Sequence, residues 1–137
     1  TTPVTSTSSS YVNISGFEAS ITPAATTSKV LIMISVYNST RNGVTTKFKI
    51  QRSVGGSETD LRTHTGGDDD HMFTNQVGAA NMMTTSYTHL DSPNTTSAIT
   101  YKIYWKGDST QLKAINRYDN SESYQGNSTI TLMEVAA

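Results

Sequence analysis

The densest group of metal-binding side chains in this sequence is a run of three acids, Asp68, Asp69 and Asp70, after two glycines. Carboxylate and carbonyl oxygens on a flexible loop are the ligands that Ca²⁺ prefers. Consecutive acids cannot all face one ion, however, and no Glu closes the loop as in an EF-hand. We therefore interpret the run as a solvated loop. The three acids stay the candidate metal ligands, and we expect the chain to fold without a metal or cofactor.

The residues that could carry out acid–base or nucleophilic catalysis are scattered. His64, His71 and His89 are far apart in the sequence, and none belongs to a His-Glu-x-x-His spacing or a Gly-x-Ser-x-Gly elbow. The chain has no cysteine, which excludes thiolate metal sites and thiol redox chemistry. We expect a protein that is not an enzyme.

A polar segment near the C-terminus, residues 117–127, combines aromatic and amide side chains. It contains Tyr118, Asn120, Tyr124 and Gln125. Aromatic rings stack on the C–H faces of sugars, and amides hydrogen-bond to hydroxyl groups, so this composition suits glycan contact. The alternatives are an ordinary surface loop or tyrosines packed between subunits. We predict a loop here and name these four residues as the candidate receptor contacts.

Composition excludes several other classes of partner. The net charge is −1, so no basic field exists to attract nucleic acid or anionic lipid. No apolar run reaches the roughly 20 residues of a membrane span. Only 34% of the residues are hydrophobic. So thin a core, on a framework rich in Thr and Ser, suggests that some apolar surface is buried against another subunit.

The elements that would position these residues are β-strands. Residues 29–38 form the longest apolar run, with Val30, Ile32, Ile34 and Val36 on one face of an extended chain. Residues 98–106 alternate in the same way, with Ile103 and Trp105 on the inward face and Lys102 on the other. Turn signals separate further short strands at roughly ten-residue spacing, which is typical of an antiparallel sandwich or barrel. We predict a linker at residues 1–10 and one β domain at residues 11–137.

Three segments together resemble a known domain. The first is residues 19–23 leading into residues 28–33. The second is Leu-Asp-Ser-Pro at residues 90–93 with residues 96–102, and the third is residues 128–135. Their order is similar to a C-terminal β domain of fibre-like structural proteins in marine and cyanobacterial tailed phages. The strand pattern also resembles the trimeric jelly-roll heads of the C1q and tumour-necrosis-factor type. The resemblance implies an all-β fold, a two-sheet antiparallel jelly-roll sandwich.

The resemblance also implies a function on the outside of a virus particle. We expect a homotrimeric tip of a tail or head fibre that contacts other virion proteins and attaches to a host-surface glycan. Capsid decoration, a trimerising cap without a receptor, a free lectin and a hydrolase of host polysaccharide are the alternatives. One thin sandwich cannot hold all of its large side chains, so some must project from an outer face that the trimer would bury. The side chains in question are Leu31, Met33, Tyr37, Tyr101, Tyr104, Met133 and Val135.

Overall fold

A computed structural model describes residues 2–62, 71–76, 81–118 and 121–136, with residues 121–123 described by their backbone. These residues form twelve β-strands and no helix that could cross a membrane. The strands are β1 (Val4–Ser6), β2 (Val12–Ile21), β3 (Lys29–Thr40), β4 (Thr45–Val54), β5 (Ser57–Asp60), β6 (Phe73–Gln76), β7 (Asn81–Asp91), β8 (Ile99–Gly107), β9 (Lys113–Ile115), β10 (Arg117–Tyr118), β11 (Ser121–Gln125) and β12 (Thr129–Val135).

The first sheet is built around β3, the strand that contains the longest apolar run. One edge of β3 pairs with β7 along eleven positions, from Val30 opposite Asp91 to Thr40 opposite Asn81. The other edge is shared by β12 and, beyond it, by β9, which in turn pairs with β1. All of these pairings are antiparallel, so β3 is the central strand of its sheet, as predicted.

The second sheet is organised in the same way around β4. One edge of β4 pairs with β8, and β2 lies outside β8. The other edge is shared by β5 and β6. The turn between β3 and β4 places Asn42 and Gly43 at φ values of 57° and 70°, the left-handed conformation that Asn-Gly accommodates at little cost.

The core lies between the two sheets and is formed by the apolar faces that alternation predicts. Val30, Ile32, Ile34 and Val36 are buried on the inner face of β3. The second sheet contributes buried side chains from alternate positions of β4 and β8, together with Phe17 of β2. Because strand side chains alternate between faces, each strand can cover the core with half of its residues. The prediction of an all-β sandwich of two antiparallel sheets is confirmed.

Two predicted loops contain strands. Residues 1–10 were expected to be a linker, whereas Val4–Ser6 pairs with Lys113–Ile115. Residues 117–127 were expected to be a loop, whereas Arg117–Tyr118 pairs with Ser121–Gln125 as a short hairpin. Both corrections have one cause. Pairing of backbone groups satisfies N–H and C=O in short polar segments that have no hydrophobic period for a sequence argument to detect.

Tyr101 is one of the seven side chains that cannot all fit inside one sandwich, and it lies inside, on the same face of β8 as Ile103 and Trp105. Its side chain is fully buried, and its hydroxyl donates a 2.8 Å hydrogen bond to Oδ2 of Asp91. Arg52 donates to both oxygens of the same carboxylate at 3.0 Å. The core therefore contains Tyr101 because a buried phenol is tolerated when its hydroxyl has a partner.

Candidate functional site

The structure brings together the two tyrosines that the sequence singles out. The rings of Tyr118 on β10 and Tyr124 on β11 lie edge to face, with centroids 6.0 Å apart and planes inclined by 75°. Tyr124 is 65% exposed, the largest exposed fraction among the large apolar and aromatic side chains that the structure describes. Gln125 is exposed beside it. Asn120 lies outside the described residues, as do Asp68, Asp69, Asp70 and His64.

The hairpin that carries the tyrosines is anchored to β3 at its base. The N–H of Asn116 donates to the carbonyl of Tyr37 at 2.9 Å, and the N–H of Gly126 donates to the carbonyl of Asn116 at 3.2 Å. Ser128 extends the link, because its Oγ donates to Oδ1 of Asn116 at 2.6 Å and accepts from the N–H of Tyr37 at 2.9 Å. These bonds fix where the hairpin leaves the sheet.

Gly126 lets the hairpin approach the first sheet closely. A Cβ atom at this position would collide with the ring of Tyr37, so the backbone lies directly against that ring. The hydroxyl of Tyr37 in turn donates to Sδ of Met82 on β7 at 3.3 Å. The hairpin thus packs over β3 and reaches β7 at one end of the sheet.

A groove of about 360 Å³ lies where the hairpin meets β7. We call it the tyrosine groove, and its lining residues are Asn81, Met82, Tyr118 and Tyr124. None of the four is charged. Two aromatic rings, a flexible thioether and one amide with both donor and acceptor atoms match the chemistry of a small, uncharged polyhydroxyl ligand.

Sequence reasoning found two of these four residues. Asn81 and Met82 belong to a segment, residues 71–83, whose alternation is too weak to show a strand. They reach the groove because β7 pairs with β3 over eleven positions, so Asn81 lies opposite Thr40 and Met82 opposite Ser39. No pattern in the sequence around Asn81 and Met82 predicts this pairing with a distant segment.

The outer face of the second sheet, the face away from the core, has a different chemistry. Lys102 donates to Glu58 at 2.7 Å, and this hydrogen bond lowers the pKa of Glu58 and raises that of Lys102. Asp60 accepts from Lys49 at 2.9 Å and from Nε of Arg62 at 2.9 Å. Burial opposes ionisation of Asp60, but the bonds from Arg62 and Lys49 outweigh it, so the pKa of Asp60 is lowered. This is a face of paired charges.

The described residues contain no group of three or more His, Asp or Glu side chains that could hold a metal ion. The imidazole of His89 stacks against the ring of Tyr87, with centroids 6.5 Å apart, and Tyr87 stacks against Phe73. These contacts place His89 in an aromatic stack at the edge of the core. The tyrosine groove is therefore the candidate site that geometry favours in the described part of the chain.

The chain matches no protein-family model, and no curated protein is detectably similar to it.

Proposed function

We propose that this chain is a non-enzymatic attachment module that binds a glycan on a host surface. The observation that carries the proposal is the tyrosine groove, in which two edge-to-face aromatic rings adjoin an amide and a thioether without a charged group. Exposed rings on a rigid β scaffold are preorganised, so little conformational entropy is lost when a ligand binds.

The uncharged lining of the groove favours one class of sugar. A carboxylated or sulfated sugar would find no cation among the four lining residues. A neutral hexose could stack one C–H face on Tyr124 and hydrogen-bond to the amide of Asn81. We therefore propose a neutral saccharide as the ligand.

The setting of the module is proposed from the resemblance to phage fibre-like proteins. We place it on the virion surface, outside the cell, as the homotrimeric tip of a tail or head fibre that contacts other virion proteins. The asymmetry of exposed apolar residues supports self-association. Among the described residues, the five most exposed large apolar side chains all belong to the first sheet or its hairpin. They are Met83, Leu90, Tyr124, Met133 and Val135.

A purely structural role is the second candidate. The same apolar surface would serve a capsid decoration or a trimerising cap that has no receptor. A glycan array distinguishes the two candidates, because a structural cap has no reason to retain any one sugar. A free lectin would bind sugars too, but a labelled domain would then fail to mark virus particles in electron micrographs.

The decisive experiment is a glycan array, followed by host-cell adsorption, with the wild type and with Tyr118→Ala/Tyr124→Ala. An aromatic pair contributes about 0.5–1.5 kcal/mol beyond the area it buries. If each ring contributes as much to a stacked sugar, the double variant should bind at least about tenfold more weakly. Tyr104→Ala is the matched control, since this half-exposed tyrosine lies on the outer face of the second sheet.

Melting temperatures must accompany the binding data. The double variant should melt close to the wild type because Tyr124 is mostly exposed and the half-buried Tyr118 is not part of the hydrophobic core. Unchanged adsorption by the double variant would remove the groove from consideration. A loss of adsorption in Tyr104→Ala of the same size would move the binding surface to the second sheet.

A further inference from the structure

We infer that copies of this chain contact one another through the outer face of the first sheet and the free edge of β7. This inference rests on the proposed trimer and identifies its contact surface. The outer face consists of the side chains of β12, β3 and β7 that point away from the core. Cross-strand register aligns Leu90, Leu31 and Met133 in one row, because Leu31 is opposite both of the others.

The outer face of the first sheet is almost free of charge. Next to the apolar row lies a row of Thr88, Met33 and Thr131, followed by one of Ser86, Ser35 and Thr129. The only charged residue at an outward position of these three strands is Lys29, at the end of β3. Leu90 and Met133 are 48% and 47% exposed.

The second sheet provides the contrast within the same molecule. Outward positions of its strands hold seven charged residues, with lysines on β4 and β8 and acids on β2 and β5. They are Glu18, Lys47, Lys49, Glu58, Asp60, Lys102 and Lys106. A solvated face usually looks like this one, whereas a face without charge is typical of a surface that is covered.

The edge of β7 carries none of the usual protection against pairing. In the described part of the chain, β7 pairs with β3 alone and presents its other edge over eleven residues. It contains no Lys, Arg, Glu or Pro, and its one acid, Asp91, is buried against Arg52. By comparison β2, the edge of the second sheet, has Glu18 and a register shift beside Gly16. Charges and bulges are how sheets protect edges that face solvent.

A second copy of the same chain is the occupant that fits these surfaces. A rotationally symmetric contact places one surface of a copy against a neighbouring surface of the next. If the charged outer face of the second sheet formed this contact, it would bury like charges or break the ion pairs of that sheet. The β7 edge and the outer face of the first sheet adjoin each other, and Lys29 at the end of β3 is the one charge at their outward positions. The edge of one copy can therefore meet the face of the next at little desolvation cost.

The proposed contact leaves the tyrosine groove accessible. Met82 lies at one end of β7 and Leu90 lies eight residues further on. At about 3.3 Å per residue, the two are roughly 26 Å apart. The apolar row and the groove therefore occupy opposite ends of the same face. A contact centred on the apolar row and on the Leu90 end of the β7 edge leaves Asn81 and Met82, and with them the groove, open to ligand.

Introducing charge into the neutral face tests the inference. Ser86→Lys and Leu90→Lys alter two exposed positions on β7, and Ser20→Lys makes the matching change at an exposed position on β2. Multi-angle light scattering at micromolar concentration should give about three chain masses for the wild type and for Ser20→Lys. Both β7 variants should fall towards the chain mass of 14.8 kDa. Circular dichroism should show that they keep the β-sheet spectrum.

The possible outcomes test the contact surface separately from the proposed function. If the wild type is oligomeric and both β7 variants remain so, the contact surface is wrong although the trimer stands. If Ser20→Lys dissociates equally, the effect is not specific to this face and the inference is also wrong. A monomeric wild type overturns the trimer and this surface together, while glycan binding by Tyr118 and Tyr124 is measured independently. If Ser86→Lys does not fold, the result for Leu90→Lys decides.

Discussion

Buried polar side chains in this core differ in whether they have hydrogen-bond partners. The carboxylate of Asp91 accepts from Arg52 and Tyr101, so all three groups are satisfied. Burial, reinforced by the bond to Asp91, raises the pKa of Tyr101. Lys113, by contrast, is fully buried, and its Nζ has no hydrogen-bond partner among the residues that the structure describes. The ring of Trp105, 5.9 Å away, offers it a cation–π contact.

The glycine at position 107 explains how the amine of Lys113 fits. A Cβ on Gly107 would lie 3.0 Å from Nζ of Lys113 and 3.1 Å from Cγ1 of Val44. The missing side chain therefore provides the space at this end of the core. Burial lowers the pKa of Lys113, and the charge of Asp108 opposes that shift.

Lys113→Met should stabilise the protein. Methionine fills similar volume without leaving a buried donor unpaired, a defect that costs about 1–3 kcal/mol. We expect urea melts at pH 7 to show a free energy of unfolding that is higher by about that amount. The gain should shrink at pH 9.5. Because the folded pKa of Lys113 lies below its unfolded value, the unfolded wild type binds more protons between the two pKa values, and wild-type stability rises with pH there.

Lys47→Met is the control, because Lys47 projects from the outer face of the second sheet and its head group is not enclosed by the core. That variant should not gain stability at either pH. A destabilised Lys113→Met would instead show that the contact with Trp105 and the charge of Lys113 are net favourable.

At the scale of the strand, successive side chains of β8 alternate between the core and the outer face of the second sheet. Ile103 is fully buried, whereas its neighbour Lys102 points outward and pairs with Glu58. Ile103→Ala should lower the free energy of unfolding by about 2–4 kcal/mol, as for other large-to-small changes in a packed core. Lys102→Ala should lower it much less, because an exposed ion pair contributes little to stability.

Urea melts of the two variants check this alternation directly. A larger loss for Lys102→Ala than for Ile103→Ala would mean that the register of β8 is shifted by one residue, because a one-residue slip exchanges the two faces.

The same alternation explains how much of the fold could be predicted. The inner faces of β3, β4 and β8 follow from apolar residues at every second position, and the turn at Asn42 and Gly43 follows from a local preference for positive φ. β1, β10 and most of β7 have no such pattern. Their places depend on partners distant in sequence, such as Val4 opposite Ile115. Half of the tyrosine groove was therefore predictable from composition, and the half on β7 was not.

At the scale of the whole molecule, the sandwich is polarised. One outer face carries paired charges and the other carries hydroxyl and apolar groups, although the chain as a whole has a net charge of only −1. Composition averages these two faces, so the low apolar fraction alone could suggest a missing partner but not the side on which it binds. The strand register shows which outer face lacks charge, and this is the side on which we propose that the partner binds.

The final prediction joins the attachment site to the proposed trimer. Three grooves on one rigid tip would bind a glycan-coated surface together, and such linkage can strengthen binding by about 10²–10⁴-fold without any new contact. Leu90→Lys, which we expect to be monomeric, should therefore dissociate from immobilised glycan at least about a hundredfold faster than the wild type.

Its affinity for the same glycan as a free, monovalent ligand should be unchanged, because the substitution lies far from the groove. Surface plasmon resonance and calorimetry measure the two quantities separately. Equal dissociation of both proteins from the surface would mean that the grooves act singly. A weaker monovalent affinity in Leu90→Lys would mean that the contact between copies also shapes the groove, so that the hairpin bearing Tyr118 and Tyr124 is positioned by assembly as well as by Gly126.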